Sequence, residues 1–214
     1  MNTIGREKSQ GLLGFHNFTG NDYGHKFVGI TKKKWSKIYL DLPSHDSIVG
    51  AFSQLGILSP EHFTFEGGEL HESILPLERF TCMGYCENGP FTIPALRWKL
   101  WSGKNKESEN LPPTRATIIP HIQRSDYMSR MHKAYDQAIP ALPPVTESGW
   151  TRDVKTKVLM PQHCLLPPAP KSILELIKCG CGGICECRYC TCWKNQLPCT
   201  SLCKCSEDCT NDQW

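Results

Sequence analysis

The chain has 214 residues, with 24 Lys and Arg against 21 Asp and Glu, and 13 cysteines. That length bounds it to one or two small domains, and 39% hydrophobic against 21% charged residues excludes wholesale disorder. A formal charge of +3 excludes a protein that holds nucleic acid by bulk basicity alone, and no apolar run reaches the ~18 residues of a membrane span.

In chain order, 11–18 (GLLGFHNF) has apolar residues at helical spacing and breaks at Thr19-Gly20. The segment 32–40 reads as a short helix carrying Trp35, Ile38, Tyr39 and Leu40. The next helix spans 44–55, with Ser44 or Asp46 as its cap and Gly56 as its stop. A longer helix is expected over 71–85, broken or started at Pro76. The best helix by period covers 113–138. Its apolar stripe is Ile118, Ile122, Met128, Met131 and Tyr135, and Pro120 kinks its first turns. Prolines then crowd the stretch from Pro140 to Pro170, which reads as extended linker or irregular packing. A last short helix, 172–178, feeds the C-terminal cysteines.

Charge is segregated along the chain. Residues 1–40 are basic, 41–96 are acidic and 97–137 are basic again, so the small total is a cancellation. The opening sequence MNTIGREKSQGLLGF holds no apolar signal region. We therefore expect a nuclear or cytoplasmic protein, not a secreted one, in which clustered cysteines bind metal rather than form disulfides.

Ten cysteines crowd the C-terminus: Cys179, Cys181, Cys185, Cys187, Cys190, Cys192, Cys199, Cys203, Cys205 and Cys209. Apolar residues here are few, so a segment this short needs a staple. Zinc takes four thiolates in a tetrahedron, and close spacing lowers the entropy of gathering them. The repeated C-x-C steps are awkward for a single-metal knuckle and point to shared sulfurs. Nine cysteines complete three zinc sites if three of them bridge, ten do so with two bridges, and two separate four-cysteine sites would leave two unused.

The stretch from Cys185 through Tyr189, Cys190, Cys192, Cys199 and Cys203 to Cys205 resembles the CXC domain of tesmin-type DNA-binding proteins, found also in Polycomb-type methyltransferases. The resemblance implies three zinc ions on nine cysteines, with Cys187 as the extra one. It also implies a nuclear DNA-binding role in which Tyr189 enters the minor groove beside Arg188. The zinc-loaded module would carry a net charge of about −5, so any phosphate contact must be local.

A second segment runs Thr19-Gly20-Asn21-Asp22-Tyr23, then Gly29-Ile30-Thr31 and Lys33. Residues 8–40 resemble the start of the helix–three-turn–helix of flap-endonuclease and PIN-like nucleases. The resemblance implies that Asp22 is a vestigial divalent-metal ligand and that the glycine turn contacts a duplex backbone. Read from the residues alone, Lys32, Lys33 and Lys34 beside a glycine turn suit phosphate contacts. The strand-borne acids of a two-metal site have no counterpart here, so no nuclease activity is expected and no catalytic residue is assigned. A remnant of mobile-element origin is the expectation.

The expected architecture is a mainly α region over 1–137, a proline-rich linker and short helix over 138–178, and a small irregular zinc-stapled module over 179–209, with little β structure. The expected partner is DNA, with no membrane. Two alternatives stay open: a structural or protein-interaction zinc module without nucleic-acid binding, and a fragment of a divalent-metal-dependent nuclease.

Overall fold

The computed structural model describes residues 4–21, 26–103, 110–153, 155–166, 178–183, 185, 189–194, 197–200, 203–205, 209 and 211. It is mainly helical, with two small antiparallel strand pairs and a cysteine-rich C-terminal cluster. The chain divides into two compact units, 1–165 and 166–214.

In the first unit, α1 (Arg6–Phe18), α2 (Lys32–Asp41) and α3 (Ser47–Gln54) match the apolar periods of the sequence. Asp46 is the cap of α3: its carboxylate accepts the Ile48 N–H at 2.9 Å. Gly56 follows with φ +98°, a conformation that ends the helix at little cost only for glycine. The segment 71–85 forms a 3-10 turn, Glu72–Ile74, that runs into α4 (Leu75–Tyr85), with Pro76 in its first turn, where its missing N–H costs nothing.

Helix α5 (Ile93–Ser102) was not expected. Only Ile93 and Leu96 are buried on it, and Trp98 and Trp101 are exposed, so its sequence lacks an apolar stripe. Strands β1 (Phe65–Glu66) and β2 (Glu69–Leu70) form one hairpin; β3 (Trp150–Arg152) and β4 (Leu159–Pro161) form the other. Helix α6 (Arg115–Lys133) is shorter than expected, so Tyr135 lies beyond it and is exposed rather than part of the stripe.

The core is aromatic. Phe15, Phe18, Phe27, Trp35, Tyr39, Phe52 and Phe80 are buried and meet edge-to-face or stacked, with Trp35 and Phe80 rings 4.9 Å apart. Two glycines let α1 and α3 approach. A Cβ on Gly14 would sit 2.0 Å from the Phe52 carbonyl oxygen. Polar staples hold the periphery. Buried Asp126 accepts the Gly56 and Leu58 N–H groups and Nε of Arg130. Buried Glu78 accepts the Ile93 N–H at 2.9 Å and both Nε and Nη2 of Arg115, joining α4, α5 and α6.

Pro120 lies inside α6. It has no N–H, so the carbonyl of Ala116 loses its helical donor. The Leu165 N–H fills that place at 3.0 Å. Arg124, one turn on, donates Nη1 to the carbonyls of Gly149 and Gln162. The proline-rich segment is thus seated irregularly on α6 as far as Leu165. The helix expected over 172–178 falls on residues outside those described, apart from Lys178.

Candidate metal centre

Among its described residues, the second unit buries little hydrocarbon. Leu197 is its buried aliphatic side chain among the described residues, and its apolar cluster is otherwise cysteine sulfur. Cys179, Cys185, Cys190, Cys192 and Cys209 are buried, with Cys181, Cys199, Cys203 and Cys205 packed around them. Cys187 lies outside the described residues. The other nine sequence-predicted ligands converge.

Local backbone geometry gathers them. A single turn, α7 (Thr191–Lys194), points the Trp193 N–H at Cys190 Sγ, 3.5 Å away. A turn at Thr200 brings the Cys203 N–H back to the Thr200 carbonyl, and the Thr200 N–H donates to Cys203 Sγ at 3.3 Å. The Cys179 N–H also donates to Cys203 Sγ, and the Lys204 N–H to the Cys179 carbonyl, tying the two ends of the cluster.

Four overlapping groups of four sulfurs each lie within 4.8 Å of one another. They are Cys179, Cys181, Cys185 and Cys190; Cys179, Cys190, Cys192 and Cys199; Cys179, Cys199, Cys203 and Cys205; and Cys185, Cys199, Cys205 and Cys209. The Cys179–Cys185 and Cys192–Cys203 separations are 3.7 Å, and Cys179–Cys199 is 4.0 Å. A tetrahedron with ligands at about 2.3 Å has edges of about 3.8 Å, so these spacings fit a tetrathiolate ion. Membership is unequal. Cys179 and Cys199 each belong to three groups, whereas Cys181, Cys192, Cys203 and Cys209 each belong to one.

Electrostatics separates the thiols. Burial opposes ionisation of Cys203, but the N–H groups of Cys179 and Thr200 outweigh it and bring its pKa to about 6. Cys190 falls to about 7, because the Trp193 N–H and neighbouring thiols outweigh its burial. Burial pushes Cys192 up to about 12 and Cys185 and Cys199 up as well. A bound cation would favour the thiolate form of each of these sulfurs.

Sequence reasoning missed Asn211. It is buried, and its Nδ2 donates to the Leu197 carbonyl at 3.1 Å and to Cys199 Sγ at 3.3 Å, while its carbonyl accepts the Cys199 N–H. Its position two residues after the last cysteine is the only sequence signal. Amide donors of this kind orient a thiolate, and losing one lowers metal affinity roughly 10–100-fold. We expect Asn211→Ala to surrender metal to a chelator about tenfold more readily than the wild type. Equal competition curves would remove the amide from the site.

The other predicted residues are not gathered. Tyr189 is 78% exposed beside Cys190, with Trp193 also exposed. Arg188 and Asp22 lie outside the described residues. Lys33 and Lys34 are exposed on α2. Lys32 is not a free cation: its Nζ donates to the carbonyls of His16 and Gly20 and to Thr19 Oγ1, closing the C-terminus of α1. Partial burial, with repulsion from Lys26, lowers its pKa to about 8. Cys82 is a buried thiol in the helical unit, pushed up to about 12 chiefly by burial and then by Glu78. No family model, curated protein or solved structure matches the chain.

Proposed function

We propose that the C-terminal unit is a three-zinc, nine-cysteine module that serves as a DNA-binding element. The convergence of nine thiols into overlapping groups of four supports the metal half of this reading. The overlaps suggest a specific scheme. Cys179, Cys185 and Cys199 bridge; the pairs Cys181 with Cys190, Cys192 with Cys203, and Cys205 with Cys209 complete one ion each. Two of those sets coincide with observed groups, and the third joins the 4.0 Å Cys179–Cys199 edge to the 3.7 Å Cys192–Cys203 edge. Zinc fits because thiolate-only tetrahedra suit a d10 ion without geometric preference.

The DNA half rests on Tyr189, an exposed aromatic on a sulfur scaffold, and on the exposed Lys33 and Lys34 of the helical unit. In this reading the helical unit is a scaffold and not a nuclease. Native mass spectrometry should count three zinc ions per chain, and two or fewer would overturn the shared-sulfur scheme. Binding to duplex DNA should fall for Tyr189→Ala. The double variant Lys33→Gln with Lys34→Gln should flatten the salt dependence by about 2 in log–log slope. Zinc-loaded protein with no DNA affinity at about 50 mM salt would favour the protein-interaction reading.

A further inference from the structure

A cavity of about 310 Å³ opens in the helical unit between the 26–28 loop and α6. Its volume sits at the small end of ligand pockets, roughly 300–1,000 Å³. One stripe of α6 supplies Thr117, Ile118, His121 and Arg124; Lys26 and Phe27 face them from the loop. Among the described residues no Asp or Glu lines it, although Lys26, His121, Arg124 and His163 all do.

Arg124 makes this cavity unusual. It is 4% exposed, and it has no carboxylate partner among the described residues. Its Nη1 is used by two backbone carbonyls, while its Nε is buried without a hydrogen-bond partner. A guanidinium shut away from water and from acids is costly unless something anionic completes it. Burial lowers its pKa to about 10, which registers the same deficit. Half-buried Arg115, by contrast, is paired with Glu78 and Glu69. Apolar side chains make up much of the rest of the wall, with Phe27, Leu111 and Ile118 among them.

We infer that this cavity is a binding site for a small organic anion: a carboxylate or phosphate head on a ring-sized apolar body. The head pairs with Arg124 in the interior and Lys26 at the exposed rim. The body lies against Phe27 and Ile118. A guanidinium suits either head, because both offer oxygens spaced for its planar fork.

The test uses full-length, metal-loaded protein with phenyl phosphate, phenylacetate and neutral benzyl alcohol as probes. Titration calorimetry reads affinity, and amide and methyl NMR shifts read location. Both anions should bind at least about tenfold more tightly than benzyl alcohol, with shifts at Phe27 and Ile118. Lys26 is exposed, so Lys26→Glu leaves the fold intact and should weaken both anions about tenfold. Arg124→Gln should abolish binding, with circular dichroism reporting whether the docked 145–165 segment survives. Equal binding of benzyl alcohol would overturn the inference, as would an unchanged Lys26→Glu titration, shifts confined elsewhere, or no anion binding at about 10 mM.

Discussion

Cys199→Ser should strip the C-terminal unit of more than one metal ion. Cys199 belongs to three of the four sulfur groups, and Asn211 fixes its orientation. In the bridging scheme it serves two ions at once, so its loss leaves both three-coordinate. Cys181 belongs to one group and serves one ion. Structural zinc supplies about 10–16 kcal/mol of apparent binding energy, and the described core of this unit is mostly sulfur. Native mass spectrometry should find one ion or none in Cys199→Ser and two in Cys181→Ser. Matching losses in the two variants would mean that the sulfurs are not shared, and would return the module to separate mononuclear sites.

Glu78→Ala should be the most damaging single truncation of a polar side chain in the helical unit. The carboxylate is 1% exposed and takes three donors from two other helices. Removing it orphans the Ile93 N–H at the start of α5 and leaves the Arg115 guanidinium with the Gly68 carbonyl and Glu69, whose side chain is 76% exposed. Breaking a buried pair from one side costs about 3–5 kcal/mol. At about 2–4 °C per kcal/mol for a domain of this size, the melting temperature should fall by roughly 10 °C. Glu69→Gln touches the same arginine at the surface and should cost under about 1 kcal/mol. Calorimetric melting of the two variants separates these readings, and equal melting points would refute the buried-staple account.

What was legible in the sequence was what has a period or a spacing. Helices α1 to α4 and α6 were marked by apolar repeats, Asp46, Gly56 and Pro76, each acting locally. The cysteine cluster was legible because ten soft ligands in 31 residues have few other uses. Helix α5 was not, because its packing uses two residues while its tryptophans face solvent. Asn211 was hidden for a different reason: its role depends on a sulfur twelve residues away in sequence and 3.3 Å away in space. The contacts of Lys32 have no sequence signal. It belongs to a run of lysines, yet its ammonium closes a helix end, a role set by where α1 stops.

Pro120 gives the helical unit an order of assembly. The Ala116 carbonyl is an open acceptor only when α6 is already wound, since in an unwound chain every carbonyl is equally open to water. The Leu165 N–H that occupies it, and the Gly149 and Gln162 carbonyls held by Arg124, therefore have no address until the helix exists. Docking of the 145–165 segment through these contacts is conditional on α6. A residue best known for interrupting helices acts here as a latch plate, present in the sequence from the start but offered to the tail only after the helix behind it has closed.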